Sequence, residues 1–209
     1  MKVDLIDSMG SDLTVVNAAR VSFDKTSNKL TDKDIKLIHY LAKHNHWSPF
    51  SHAFLQFRIK APIFVARQLG KHQVGLSWNE VSRRYVDYEP EFYEPEAWRG
   101  RPDNVKQGSE GIVAINSSSY DIRMKDLIKH YNSLIKMDVA PEMARMVLPQ
   151  SVYTEWYWSG SLYAFARVCQ LRLDKTAQLE VQEIARQLSA YCNTLFPYSW
   201  KALIGVDDG

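Results

Sequence analysis

Cysteine is nearly missing from these 209 residues, with only Cys169 and Cys192 present. Two thiols make no disulfide framework, so a reducing, cytoplasmic setting is expected. Long apolar runs are missing too. No stretch approaches the roughly 18 consecutive apolar residues of a membrane span, and the N-terminal MKVDLIDSMGSDL has no apolar signal core. A soluble protein with no membrane partner is expected. Charge of one sign is also lacking: 26 Lys and Arg stand against 24 Asp and Glu, and a net charge of +2 is too small for a general nucleic-acid binder. No GxGxxG, P-loop or GxSxG elbow occurs, which removes the Rossmann fingerprint and the serine-hydrolase nucleophile. Both cysteines fall on helix faces, outside any activating motif, and read as small core residues. A protein nucleophile is therefore not expected, and a cofactor carrying the hard step is the natural alternative.

What is present is aromatic and patterned. Aromatics reach 12%, which argues against disorder, and the length suffices for a sizeable core. Val3 to Ile6 reads as a strand, and Ser11 or Asp12 caps a helix to about Arg20, leaving Ser22 near a turn. Thr31 and Asp34 form a capping box for a helix bearing Ile35, Ile38 and Leu41 that stops near His44. Three histidines follow in residues 44 to 52, but no Cys or carboxylate stands at a ligand spacing, so no metal site is expected. A turn with Ser48 and Ser51 as phosphate-facing hydroxyls is the better reading. Ala53 to Lys60 alternates as a half-buried strand, with Ala53, Leu55, Phe57 and Ile59 on one face. Pro62 suits the first position of a short helix, IFVARQLGK, that places Arg67, Gln68 and Lys71 on neighbouring positions. SWNEVSRRY reads as an irregular extended loop, and residues 86 to 108, with three prolines, as a long surface excursion. Ser117 to Met137 is helical, Pro141 opens a helix stopped by Pro149, and Val152 to Trp158 alternates as a second strand. Ser161 caps a helix through Leu171, and Thr176 caps the last long one. No repeat or linker intervenes, which makes one α+β domain.

The chemistry gathers between Arg67 and Tyr85. Arg67, Lys71, Arg83 and Arg84 face one acid, Glu80, among Gln68, His72, Gln73, Asn79 and Ser82. Forked cations and fixed amides at this density suit a ligand with phosphates and a planar polar ring. A solvated cationic surface is the alternative. Arg145, Arg167 and Arg172 form a second basic group. Arg167 and Arg172 diverge by more than one turn unless the helix ends between them. Together with the first group they would line one anionic pocket.

The segments Arg67-Gln68, Lys71-His72-Gln73 and Ser77-Trp78-Asn79-Glu80-Val81-Ser82-Arg83-Arg84-Tyr85 resemble the signature of the flavin-dependent thymidylate synthases. DLTVVNAARVSF, KHNHWSPFSH, APIFVARQ, ARMVLPQSVYTEWYW and LRLDKTAQLEVQEIA resemble further family blocks in the same order. The resemblance implies a twisted, mainly antiparallel sheet packed with helices, in a homotetramer with shared active sites. It implies conversion of dUMP to dTMP, with carbon from methylenetetrahydrofolate and hydride from FAD reduced by NADPH. Gln68, Lys71, Glu80, Val81, Ser82, Arg83, Arg84 and Arg145 would hold dUMP. Arg172 would face the uracil as the catalytic cation. Ser22, His46, Ser48, Lys71, His72, Gln73, Asn79, Glu80, Ser161, Tyr163 and Arg167 would line the FAD site. The family's Arg-His-Arg is here Lys71-His72-Gln73, and eight residues separate Gln73 from Ser82. An ammonium and a neutral amide replace two guanidiniums, so Arg167 would restore the charge that Gln73 lacks. Two alternatives remain at this level. One is a relative delivering another one-carbon group, such as hydroxymethyl. The other is a non-catalytic oligomer binding nucleotides or single strands through its cations and aromatic rings.

Overall fold

Strand alternation decides where the core lies. The computed structural model describes residues 1–103 and 108–205. In chain order the elements are strand β1 (Lys2–Met9), helices α1 (Asp12–Arg20) and α2 (Asp32–Lys43), β2 (Phe54–Pro62), α3 (Ile63–Leu69) and β3 (Leu76–Glu80). The short strands β4 (Arg99–Gly100) and β5 (Glu110–Ile112), helix α4 (Ser117–Lys136) and the single turn α5 (Pro141–Ala144) follow. The chain continues through β6 (Tyr153–Ser161), α6 (Leu162–Arg172), α7 (Leu179–Leu195) and α8 (Pro197–Ile204). Turns of 3₁₀ helix occupy Val21–Phe23, Ser48–His52 and Arg145–Val147.

The main sheet runs β1-β2-β6-β3, each pair antiparallel, so β2 and β6 are central. Ala53, Leu55, Phe57 and Ile59 are all buried, as the alternation predicts. Phe57 lies opposite Trp158 and Ile59 opposite Trp156, so bulky side chains pair across the strands. From α6, Phe165 stands edge-on to Phe57 at 5.1 Å and to Trp158 at 5.4 Å. Val168, Cys169, Ile184, Leu188 and Trp200 close the same core from α6, α7 and α8. Each large apolar side chain so buried contributes about 1.5–3 kcal/mol. Asp12, at the start of α1, accepts from the backbone N–H groups of Tyr198 (3.1 Å) and Ser199 (2.8 Å), satisfying orphan donors at the start of α8. Asp34 closes the expected box by accepting from Thr31 N at 2.9 Å, and the Arg20 guanidinium pairs with the same buried carboxylate.

The α+β architecture is as expected; several local readings are not. Leu76–Glu80 is a strand, not irregular loop, because pairing with β6 outweighs its mixed polarity. Pro62 is the N-cap of α3 in extended conformation, not its first residue. The helix ends at Leu69, so Lys71 lies beyond it and shares no helical face with Arg67. Pro141 opens only one α-turn before the backbone tightens to 3₁₀. Gln178, not Thr176, caps α7, because Thr176 folds back to donate twice to Asp174 Oδ1 (2.7 and 2.6 Å). The excursion after Asp87 is partly anchored, since Tyr153 N donates to Glu91 O and Tyr93 N to Ser151 O. Its residues 104–107 lie outside the described residues. Helix α8 and the β4–β5 pair were not anticipated.

Candidate active site

The turn from α3 into β3 builds the first cluster. Gly70 ends the helix, and Gly75 turns the chain with φ +76° at a point where a Cβ would lie 3.2 Å from Ala164 Cβ. Strand β3 then approaches β6 at Gly160, where an added Cβ would meet Gly75 O at 2.4 Å and Leu76 Cδ2 at 2.6 Å. This close seat directs Trp78 inward, stacked on Trp156 at 4.3 Å, and sets Glu80 beside Thr154. Arg67, Lys71, His72, Gln73 and Glu80 thereby line one pocket of about 380 Å³. Glu80 is held by Thr154 Oγ1 at 2.7 Å and Trp78 Nε1 at 3.1 Å.

A second pocket, of about 130 Å³, abuts the first through the shared wall of Ile63 and Glu80. Val81, Arg83 and Arg145 line it. Arg83 donates to Tyr88 O at 2.8 Å and lies 4.7 Å over the Tyr88 ring. Glu142 draws its neighbours together, pairing with Arg84 at 3.4 Å and accepting at its backbone O from Arg145 Nε at 3.3 Å. Ser82 braces the same turn, accepting from Arg84 N at 3.3 Å. A third pocket, of about 290 Å³, is lined by Trp47, Ser51, Ser161, Tyr163 and Arg167. The Ser161 hydroxyl is already engaged there as the cap of α6, accepting from Ala164 N at 3.2 Å.

Arg172 ends α6 and reaches back across the fold. Its Nε donates to His72 Nε2 at 2.9 Å and its Nη2 to Gln68 O at 3.1 Å, so it caps the C-terminus of α3 with a cation. Burial lowers its pKa from the usual guanidinium value. His72 accepts at Nε2, so it is neutral with its proton on Nδ1. Burial first, then the charges of Arg172 and Arg167, push its pKa below the ordinary 6.5. Arg167 and Arg172 diverge around α6, as their spacing predicts, yet both act on His72.

Not every expected residue joins these pockets. Ser22 lies in the 3₁₀ turn after α1, His46 packs edge-on to Tyr40 at 6.1 Å, and Ser48 opens the next 3₁₀ turn. None of the three lines the pockets above, although Trp47 and Ser51 beside Ser48 do. Asn79 alternates with Trp78 and Glu80 and sits on the outer face of β3. Both thiols are buried, and burial pushes Cys169 up to about 12 and Cys192 well above its ordinary range, which leaves neither a nucleophile. Among the described residues no three His, Cys, Asp or Glu side chains converge as a metal site, and no helix is long and apolar enough to cross a membrane.

Sequence reasoning missed the cluster beyond Gln68. The Gln68 amide donates to Gln178 Oε1 at 2.6 Å, and Gln178 lies on the wall of a cavity of about 360 Å³ with Phe64, Tyr93, Trp98 and Glu180. Gln178 and Glu180 stand in the LRLDKTAQLE block, but nothing in that pattern shows that they face Gln68.

Residues 4–198 match the family of the thymidylate synthase complementing protein. A flavin-dependent thymidylate synthase of Thermus thermophilus is 41% identical over 202 residues, covering 96% of this chain and 74% of that one. The enzyme of the same description from Thermosipho africanus is 38% identical over 208 residues, covering 96% and 89%. Among solved structures, a UMP/dUMP methylase, PolB, from Streptomyces cacaoi bound with 5-Br dUMP superposes with a TM-score of 0.85 at 30% identity, covering 98% of this chain and 94% of that one.

Proposed function

The chain belongs to the flavin-dependent thymidylate synthase family, and we infer that it methylates dUMP to dTMP at the pockets between α3, β3 and β6. The observation that carries this reading is the convergence of Arg67, Lys71, His72, Gln73 and Glu80 in one pocket that shares a wall with Arg83 and Arg145. Forked and point cations around an acid, an imidazole and an amide suit a nucleotide phosphate and a polar ring.

Arg83, Arg84 and Arg145 would hold the phosphate, and Gln68, Lys71, Glu80, Val81 and Ser82 the rest of dUMP. Arg172 would face the uracil. A fixed cation there stabilises the charge that develops on the ring as C5 becomes nucleophilic, and it needs no reorganisation to do so. FAD suits the donor set. Lys71 and Arg167 would meet its diphosphate, neutral His72 offers an Nδ1–H, and Trp47 and Tyr163, with ring centroids 6.2 Å apart, give flat apolar walls beside Arg167. Gln73 and Ser161, with Ser22, His46, Ser48 and Asn79 from outside these pockets, complete the proposed flavin contacts. When bound, FAD supplies the hydride that completes the methyl group. Methylenetetrahydrofolate as carbon donor and NADPH as reductant follow from the same reading, with C5–H exchanged for C5–CH₃. Buried, protonated thiols agree with a route that needs no enzymic nucleophile.

A homotetramer with shared active sites is part of the proposal. Met146 (70% exposed), Leu171 (62%) and Val74 (74%) present apolar side chains beside Arg145, Arg172 and Gln73, as an interface around the pockets would require. The test is mass analysis of the nucleotide after anaerobic incubation of dUMP with the protein, FAD, NADPH and methylenetetrahydrofolate. A methyl in place of hydrogen is expected. A hydroxymethyl product, or unchanged dUMP with folded protein, overturns the reading.

A further inference from the structure

Each carboxylate oxygen of Glu80 is held by a different donor. Thr154 Oγ1 donates to Oε1 at 2.7 Å, and Trp78 Nε1 donates to Oε2 at 3.1 Å. Both donors are stiff, and the acceptor is not. Thr154 lies in the central strand β6, opposite Ala61 of β2, and its branched Cβ restricts χ1. Trp78 is stacked on Trp156 at 4.3 Å with 17° between the planes, and it stands edge-on to Trp158 at 5.5 Å. Glu80 ends β3 and is exposed, where a long side chain left to itself samples several rotamers. It lies opposite Trp156, so Thr154 is its diagonal neighbour across the strands, within reach of a long side chain.

Among the described residues that line the two adjoining pockets, Glu80 is the one carboxylate, set among Arg67, Lys71, Arg83 and Arg145. A loose carboxylate there would be drawn toward a cation. Yet Glu80 takes part in none of the ion pairs among the described residues. Its two partners are neutral donors. They leave about half of its acceptor sites open, and they leave the cations to an anionic ligand. We propose that Thr154 is a positioning residue for nucleotide binding, which together with Trp78 holds the Glu80 carboxylate on the wall between the pockets and off their cations. Neither the hydroxyl nor the indole N–H need touch the nucleotide. The inference rests on the reading of these pockets as a dUMP site.

Three substitutions separate the hydrogen bonds from packing. Thr154→Val removes the hydroxyl at nearly constant volume, and Thr154→Ser restores it. Trp78→Phe keeps a ring on Trp156 while removing the N–H. Binding of dUMP to the FAD-loaded protein is measured by titration calorimetry. The dissociation constant is expected to rise about two- to tenfold in Thr154→Val and in Trp78→Phe, because a released Glu80 must be ordered as the ligand binds. Thr154→Ser is expected to bind close to the parent. Since both donors act through one carboxylate, the double variant is expected to fall short of the product of the two single effects. Parent-like affinity in Thr154→Val, or a Ser variant no better than the Val variant, overturns the proposal. Effects that multiply in the double variant also overturn it, because the two side chains would then act on the nucleotide separately. If Thr154→Val does not fold, Trp78→Phe carries the test, and parent-like affinity there overturns the proposal. Absence of dUMP binding in the unaltered protein overturns the dUMP reading itself, which distinguishes the two failures.

Discussion

Gly160→Ala tests how tightly β3 is seated. Gly160 lies in β6 opposite Leu76, with Leu55 of β2 on its other side. A methyl added there would lie 2.4 Å from Gly75 O and 2.6 Å from Leu76 Cδ2. The leucine methyl can rotate away, but the backbone oxygen cannot. Reaching an ordinary contact requires the start of β3 to retreat by about 1 Å. That retreat strains the Leu76–Gly160 pairing and displaces the Lys71–Gln73 turn behind it. Overpacking costs about 1–3 kcal/mol, and an unyielding backbone neighbour places this case at the upper end. For a domain of this size that lowers Tm by roughly 6–12 °C. Thermal unfolding followed by tryptophan fluorescence, at fixed protein concentration, measures the shift, and bound flavin is assayed in parallel. Gly111→Ala is the control: its φ is +62° but nothing lies within 4 Å, so only the backbone preference is lost and flavin should be retained. A Gly160→Ala protein melting within about 1 °C of the parent would refute the steric reasoning.

Arg172→Ala should abolish turnover while leaving the proposed tetramer intact by light scattering; near-normal activity would remove Arg172 from its proposed role. Arg167→Ala should weaken FAD binding in a fluorescence titration if, as proposed, Arg167 supplies the charge that Gln73 lacks, and unchanged affinity would end that compensation. His72 carries a pH signature. Its folded pKa lies below 6.5, so the unfolded chain takes a proton first as pH falls. Stability should therefore decline from about pH 7 downward until the folded pKa is passed. His72→Gln should remove that part of the slope in denaturant titrations at pH 7.5 and 5.5, and an unaltered slope would contradict it.

Alternation made the central strands legible, because Leu55, Phe57, Ile59, Trp156 and Trp158 all point to one side. The Thr31–Asp34 box was equally local. Strand β3 was not legible, because its residues LSWNE have no clear period and Trp78 gains its place by stacking on Trp156, far along the chain. The cations of the site were visible as a cluster, but their partition into adjoining pockets depends on where β3 lies against β6. The Arg172–His72 bond spans 100 positions, and no periodicity reports such a pair. Thr176 looked like a cap because its side chain suits one, yet Asp174 offered it a shorter local bond.

The sheet order has a consequence for synthesis. β2 pairs with β6, yet about 90 residues separate the end of one from the start of the other. At translation rates of about 5–20 residues per second, the ribosome takes roughly 5–20 s to deliver that partner. Throughout that interval one ladder of β2 stands open, and Leu55, Phe57 and Ile59 have neither Trp156 nor Trp158 to cover them. On the opposite side of the strand stand Gln56, Arg58 and Lys60. In the finished fold Arg58 pairs with Glu155 and Lys60 with Glu91, both made later than the strand itself. Until then these two unpaired cations repel a second nascent copy and act as gatekeepers of the waiting strand.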